Sequence, residues 1–412
     1  MKRVVVTGLG VISPLGGTVN SFFDSLLACR SGIALLQAPW AQSIRAPIAA
    51  SVIENIESQF PKPKRASLDR VVQLSLIAAR QAMQQAKINL GDAASERAGV
   101  YWGTGMGGAT TLEQTYVDIL VNRTARLRPA TVVMAMNNAA SGHIGIEFGI
   151  RGPSYTFSSA CSSSAVAIGE AFRAIRFNLV DTAIAGGGEA LLTEGVMKAW
   201  DSLQTLAHMD TGKPETSCRP FAADRTGFVL GEGAAALVLE ERDAALARGA
   251  TILAEIVGYG NTTDSHHITQ PDAPGQARAM QRALVEAEMS PERIGHINAH
   301  GTGTKVGDLS ETLAIKQVFG DHAGHIPISA TKALHGHLMG AAGALEMVAA
   351  LEAMRGGIVP PTAHLFNPDA ECDLDYVSSG ARKIPELNVV MSNSFGFGGN
   401  NVSLIAIRGA NT

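Results

Sequence analysis

Residues 153–179 read PSYTFSSACSSSAVAIGEAFRAIRFNL. The opening PSYTFSSA has the β-branched and aromatic character of a strand, and Val166, Ile168, Phe172, Ile175 and Leu179 then fall on one face of a helix. Strand, small-residue turn and helix in succession is the building unit of an α/β protein. The same rhythm recurs along the chain: VVVTG from Val4, the helical stripe Val72, Leu76, Ala79, Met83 and Ala86, then TAIAGGG, AAALVLE and ILAEIVGYG. This alternation predicts a layered α/β architecture with mostly parallel strand pairing.

At 412 residues the chain is longer than one hydrophobic core usually supports, so two halves are expected. No Pro/Ser-rich linker separates them, and no internal repeat is visible. The division is placed near Ala250, giving 1–250 and 251–412, where ERDAALARGA reads as a long charged helix ending before a strand TILAEIVGYG. A net charge of −4 gives no electrostatic reason to expect nucleic-acid binding. The cluster KPKR at Lys62–Arg65 reads as a solvated loop, with a local patch for an acidic partner as the alternative. Cys29, Cys161, Cys218 and Cys372 are scattered without a pairing pattern, which suits a reducing, cytoplasmic setting. The start MKRVVVTGLGVISPLGG is expected to be a first strand and turn, not a signal peptide, and no run of about 18 apolar residues predicts a membrane span.

Two glycine clusters imitate nucleotide-binding motifs. Gly8-Leu9-Gly10 lacks the third glycine of a dinucleotide fingerprint and is read as turn chemistry. Gly186-Gly187-Gly188 lacks the Lys-Ser/Thr of a phosphate loop and is read as tight packing at a strand end.

The informative residues stand where strands stop. Cys161 follows PSYTFSSA and precedes the helical stripe, so it is expected at a helix N-terminus, where the dipole favours a thiolate. This segment alone leaves open whether Cys161 is a packed structural thiol or a nucleophile. IGHINA ends at His300, before a helix in LSETLAIKQVF. IPIS leads into TKALHGHLMGAAGALE, with Lys332, His335 and His337. VVMSNS leads into the glycine-rich FGFGGNN. Sites in α/β sheets gather at the carboxyl ends of strands, and here such ends present a cysteine, two histidines and a lysine. A Cys/His hydrolase needs one histidine with an orienting Asn or Asp. Two histidines and a lysine suit another task, the stabilisation of an enolate oxygen by two neutral N–H donors.

At these residues the sequence resembles the β-ketoacyl-acyl-carrier-protein synthases, thiolase-fold condensing enzymes, and among them the synthase II type. The resemblance runs through VVVTGLGVISPLG, RGPSYTFSSACSSS, RPFAADRTGFVLGEGAAALVLE, NAHGTGTKVGD, TKALHGHLMGAAGALE and NSFGFGGNN. It implies an α/β, thiolase-like five-layered αβαβα fold built from two pseudo-duplicated halves. It implies that Cys161 takes the acyl chain, that His300 and His337 promote malonyl decarboxylation, and that Lys332 supports them with Glu346 as ion-pair partner. The N–H groups of Cys161 and Phe397 would form the oxyanion hole, with Phe397 also the gate. Thr302 and Thr304, and less directly Thr269, would contact the phosphopantetheine arm, while Met106 and Trp200 would line the acyl pocket. The implied partners are acyl carrier protein and a second subunit, either identical or a chain-length-factor-like homologue. No metal or cofactor of the chain's own is implied, since phosphopantetheine arrives on the carrier.

Other members of the wider group fit less well. A thiolase needs a second cysteine near the C-terminus, the synthase III branch pairs His with Asn, and a chain-length factor lacks the nucleophile. A dinucleotide oxidoreductase would rest on Gly8-Leu9-Gly10 alone. Several positions depart from the synthase II pattern: His335 and Asn400 stand where Thr is common, Gly303 for Ser or Thr, Trp200 for Phe, and Ser67 and Gln204 for basic residues. These departures leave the reaction intact. They keep open a specialised polyketide, polyene or nodulation-type acyl pathway beside fatty-acid elongation.

Overall fold

A computed structural model describes residues 1–409. Its main sheet has ten strands: β1 Val4–Ile12, β2 Ala98–Gly103, β3 Ser154–Phe157, β4 Thr182–Glu189, β5 Gly233–Glu241, β6 Ala254–Thr263, β7 His296–Asn298, β8 Ile328–Ser329, β9 Val389–Gly396 and β10 Asn400–Arg408. Their spatial order is β8-β7-β9-β10-β6-β1-β5-β4-β2-β3. Counted within each group of five, both run 3-2-4-5-1. In both, the fifth strand is antiparallel to its neighbours and the others pair in parallel. The duplication absent from the sequence is therefore plain in the topology. The two groups meet where Val4–Val6 of β1 pairs antiparallel with Ala254–Ile256 of β6.

Helices complete five layers. Arg70–Ala86 covers the outer face of β1, β5 and β4, and Ala273–Glu286 covers β6 and β10. Between the two groups of strands lie Ser163–Arg176 and Ala342–Gly356, which pack on each other and on strands of both groups. A helix with apolar residues all round must be buried all round. Ala342–Gly356 follows that rule, with Leu345, Met347, Val348, Leu351 and Met354 all inaccessible. Ser164 Oγ accepts the Ala344 N–H at 2.9 Å, a polar tie between the two central helices.

Several sequence expectations shift in detail. Gly8 and Gly10 lie inside β1, not in a turn: a Cβ there would come within 2.0 Å of the Ala82 carbonyl oxygen and 1.9 Å of that of Ala78. They are glycines because Arg70–Ala86 presses its backbone onto the strand. The helix before Ala250 is short, Arg242–Ala247, with Glu241 as its cap, and the next strand begins at Ala254. KPKR forms a helical turn, Lys62–Arg65, in which Lys64 pairs with Glu147 and Arg65 with Glu57. Two of its three cations are thereby neutralised locally. All four cysteines are free. Among the described residues no helix is long and apolar enough to cross a membrane.

Candidate active site

Cys161 follows β3 by a tight turn and stands just before the helix Ser163–Arg176. Ala160 takes a left-handed φ of 52°, which turns the chain sharply into the helix. The neighbouring serines knit this turn together. Ser163 Oγ accepts the Ser159 N–H at 2.9 Å and donates to the Ala160 carbonyl at 2.6 Å, while Ser162 Oγ donates to the Ser159 carbonyl at 2.9 Å. Cys161 is only 6% exposed. The sequence placed it where a helix dipole lowers the thiol pKa. Burial works against that and pushes the thiol up to about 12, with the Lys332 charge and the Phe397 N–H offsetting only part. The resting group is therefore a thiol in an apolar setting.

Two imidazoles face it. His337 Nε2 lies 3.0 Å from Cys161 Sγ, and its Nδ1 accepts the Met339 N–H at 3.1 Å. A ring nitrogen that accepts carries no proton, so the neutral His337 ring holds its proton on Nε2, toward the sulfur. His300 is fixed likewise: the Lys332 ammonium donates to its Nδ1 at 3.2 Å and to its carbonyl at 2.6 Å. Lys332 also forms a fully buried ion pair with Glu346. Burial first, then the Lys332 charge, hold both histidines well below their ordinary pKa. The rings stand edge to face with centroids 5.5 Å apart. The result is two neutral N–H donors directed at one space above Cys161. The donor atoms of Cys161, His300 and His337 lie within 4.8 Å of one another. Even so, both rings offer N–H groups there, not the lone pairs a metal needs.

The glycine-rich loop after β9 closes this space. A Cβ on Gly396 would come within 2.8 Å of the Ser159 carbonyl oxygen and 3.2 Å of the Cys161 nitrogen, so a glycine lets the loop lie against Cys161. The Phe397 N–H faces the thiol. The Phe397 ring lies 5.9 Å from that of Trp200, which stands edge-on to Phe228, itself edge-on to His337. The cavity is about 360 Å³ and opens past Thr269, Thr302 and Thr304. Thr302 and Thr304 hydroxyls are 3.0 Å apart, and Thr304 caps the helix Lys305–Phe319. Cys161, His300, His337, Phe397, Trp200 and the three threonines thus share one cavity. Met106 does not join them. It is 49% exposed in a separate apolar groove on the other side of Trp200.

Four groups that the sequence reading did not single out hold the site. Glu311 accepts the backbone N–H groups of His300 and Gly301 at 2.9 and 2.8 Å. Glu189, at the end of β4, accepts four donors around the loop 104–106 and Gly340. Arg225, 2% exposed, pairs with Asp369 and donates to the Thr304 and Lys305 carbonyls. Phe228 packs on His337. The available signal was a charge inside an apolar run: Glu189 ends TAIAGGGE and Glu311 interrupts LSETLAI. Buried charges are costly unless they are partnered.

The departures from the family pattern also find places. His335 is fully buried, with Nδ1 2.7 Å from the Gly336 carbonyl and Nε2 2.9 Å from the Thr331 hydroxyl. Burial lowers its pKa to about 3, so it pins the turn between Lys332 and His337 as a neutral ring. Asn400 Nδ2 donates to the Phe397 carbonyl at 3.4 Å, bracing the loop. Gln204 lines the cavity mouth, whereas Ser67 donates to the Lys64 carbonyl away from it. Gly303 has φ +83°, and a Cβ there would lie 2.8 Å from the Gly227 carbonyl oxygen. Gly303→Thr is therefore expected to destabilise the protein by about 1–3 kcal/mol, read from the denaturant midpoint.

Residues 1–245 match the N-terminal domain of beta-ketoacyl synthases and residues 253–366 the C-terminal domain. The 3-oxoacyl-[acyl-carrier-protein] synthase 2 of Staphylococcus aureus is 39% identical over 407 residues, 98% of each chain. Nodulation protein E of Rhizobium leguminosarum bv. trifolii is 40% identical over 403 residues, again 98% of each. Among solved structures, a type II PKS acyl-carrier protein in complex with its hexaketide-bound ketosynthase superimposes with TM-score 0.91 at 30% identity, covering 99% of this chain and 100% of that one. The ishigamide ketosynthase/chain length factor superimposes with TM-score 0.90 at 32% identity, with the same coverage. With a Cys/His/His centre on a duplicated five-layered fold, this chain belongs to the β-ketoacyl synthase family.

Proposed function

We propose that the chain is a 3-oxoacyl-acyl-carrier-protein synthase that lengthens fatty-acyl chains by decarboxylative Claisen condensation. Cys161 is the nucleophile, and His300 and His337 are the two donors to the enolate. The observation that carries this reading is the pair of locked rings, whose Nδ1 atoms are both engaged by donors.

In the first half-reaction the Cys161 sulfur attacks the thioester carbonyl of an acyl chain on acyl carrier protein. The bond to the pantetheine sulfur breaks, and the departing thiolate takes up a proton to match the one Cys161 loses. The N–H groups of Cys161 and Phe397 hold the oxyanion. In the second, the carboxylate–carbon bond of malonyl-carrier protein breaks and CO₂ leaves. The electron pair passes to the thioester, whose enolate oxygen lies between His300 Nε2–H and His337 Nε2–H. The α-carbon then attacks the acyl-Cys161 carbonyl and expels the sulfur, which regains a proton from solvent. The product is a 3-oxoacyl chain two carbons longer on the carrier. Thr302, Thr304 and Thr269 at the mouth guide the phosphopantetheine arm, and Phe397 moves to admit the second substrate.

The test separates the half-reactions. Incubation with an acyl-carrier protein should add the acyl mass to Cys161 in intact-protein mass spectrometry. His300→Ala and His337→Ala should spare that transfer and cut CO₂ release by about 10²–10³-fold, the usual effect of removing one such donor. Equal loss of both half-reactions would contradict the division of roles.

A second reading, a ketosynthase of a specialised acyl pathway, is favoured by the bulky Trp200, which lines both the cavity and the apolar groove. A competition among saturated, unsaturated and aromatic acyl-carrier proteins decides between them: preferential loading of saturated chains supports elongation, and of the others the specialised route. For assembly, the outer edge of β3 is unpaired, and Leu112, Tyr116, Val117, Leu120 and Val121 expose apolar surface along the groove. A second subunit covers these surfaces, an identical copy or a chain-length-factor-like homologue. The two halves divide near Ala250, the first carrying Cys161 and the second His300, Lys332 and His337. Four unpaired thiols suit a cytoplasmic setting.

A further inference from the structure

The reaction above makes no use of Glu189, yet this carboxylate is completely buried and joins the two halves of the site. One oxygen accepts the Gly105 N–H at 2.6 Å and the Gly340 N–H at 2.9 Å; the other accepts the Thr104 hydroxyl at 3.2 Å and the Met106 N–H at 3.3 Å. The surroundings are shaped around it. A Cβ on Gly105 or on Gly340 would come within 2.7 Å of the same carboxylate oxygen, so both positions need glycine for the oxygen to seat.

Gly340 follows Met339, whose N–H is the donor that keeps the His337 proton on Nε2. Met339 takes a left-handed φ of 46°, a conformation that persists only where its surroundings impose it. Glu189 supplies that constraint on the very next peptide. We propose that Glu189 is a positioning residue for decarboxylation: by holding Gly340 it keeps the Met339 amide on His337 Nδ1, and so keeps His337 an Nε2–H donor.

The inference rests on the reaction assigned above. It predicts a change that a merely structural carboxylate would not produce. In Glu189→Gln one carboxylate oxygen becomes an amide NH₂ that faces N–H groups, so two donors lose their acceptor. The turn 339–341 relaxes, and the His337 proton distributes between Nε2 and Nδ1. A ring protonated on Nδ1 still meets the thiol but no longer donates to the enolate.

The test uses the full-length protein with ¹⁵N-labelled histidine. In the wild type the His337 ring shifts should report a pure Nε2–H tautomer, and in E189Q a substantial Nδ1–H share. In parallel, CO₂ release from malonyl-carrier protein should fall roughly tenfold more than the rate of Cys161 acylation. If E189Q does not fold, Glu189→Asp, one methylene too short to span both halves, is held to the same two readouts. An unchanged tautomer overturns the inference whatever the rates do, and so does an equal loss of both half-reactions. A wild type that neither loads an acyl chain nor releases CO₂ counts against the reaction itself. A working wild type with unchanged ratios in the variants counts against Glu189 alone.

Discussion

Cys161→Ala is expected to carry no acyl mass after incubation with acyl-carrier protein and to form no 3-oxoacyl product. In the proposed reaction the thiol is the nucleophile: it lines the cavity at the turn before the helix Ser163–Arg176, where its own N–H and that of Phe397 can hold an oxyanion. The neighbouring serine hydroxyls do not replace it, because Ser162 and Ser163 are engaged with the turn's carbonyls. Release of CO₂ from malonyl-carrier protein should persist in C161A. The donor N–H groups of His300 and His337 are set by Lys332 and Met339, and neither tie involves the sulfur. Loss of both activities in a folded C161A protein would mean that the histidines depend on the thiol. The wild-type thiol carries a second prediction. With burial pushing it up to about 12, its thiolate fraction grows about tenfold per pH unit below that value. Alkylation by iodoacetamide should therefore keep rising through pH 7, 8 and 9, where an ordinary exposed thiol levels off near 8.5.

Lys332→Met is expected to lower both stability and decarboxylation. Lys332 and Glu346 are both fully buried and paired with each other. Removal of one partner strands the other charge, which typically costs about 3–5 kcal/mol. Glu346 is especially vulnerable because its second oxygen has no protein partner among the described residues. Burial raises the Glu346 pKa to about 7 from an ordinary 4.5, and loss of Lys332 removes the charge that opposes this. A carboxyl with a raised folded-state pKa is most stable protonated. The deficit of K332M relative to wild type in denaturant should therefore be smallest below about pH 7 and grow as pH rises above it, where wild-type Glu346 ionises beside Lys332 and the variant's Glu346 stays protonated. The catalytic loss has a separate cause, since His300 Nδ1 loses its donor. Replacing both partners, Lys332→Met with Glu346→Leu, separates the two effects. An apolar pair of similar volume should recover most of the stability and none of the CO₂ release. Recovery of both would show that Lys332 acts only through the fold.

Much of this architecture was written locally. Strand, turn and helix around Cys161 follow from a β-branched stretch, a run of small residues and an apolar stripe, all within 27 residues. The helix at Arg70–Ala86 and the strands at Thr182–Glu189 and Gly233–Glu241 were legible for the same reason. Errors arose where the deciding neighbour is distant in sequence. Gly8 and Gly10 looked like turn residues because the helix that excludes a Cβ lies some seventy positions away. The thiol pKa shows the same limit: a helix N-terminus is visible in sequence, but the burial that outweighs it is not.

The sequence by itself determined which residue types stand at the ends of the strands, Cys161, His300, Lys332 and Phe397, because strand and helix periods are set by neighbouring side chains. Only the tertiary structure decided what those groups are. It brought His337 Nε2 within 3.0 Å of the thiol, put Met339 and Lys332 on the two Nδ1 atoms, and buried Glu189 between the halves. Protonation state and tautomer depend on desolvation and on donors placed a few ångströms away in space, and the chain supplies those from segments far apart along its length.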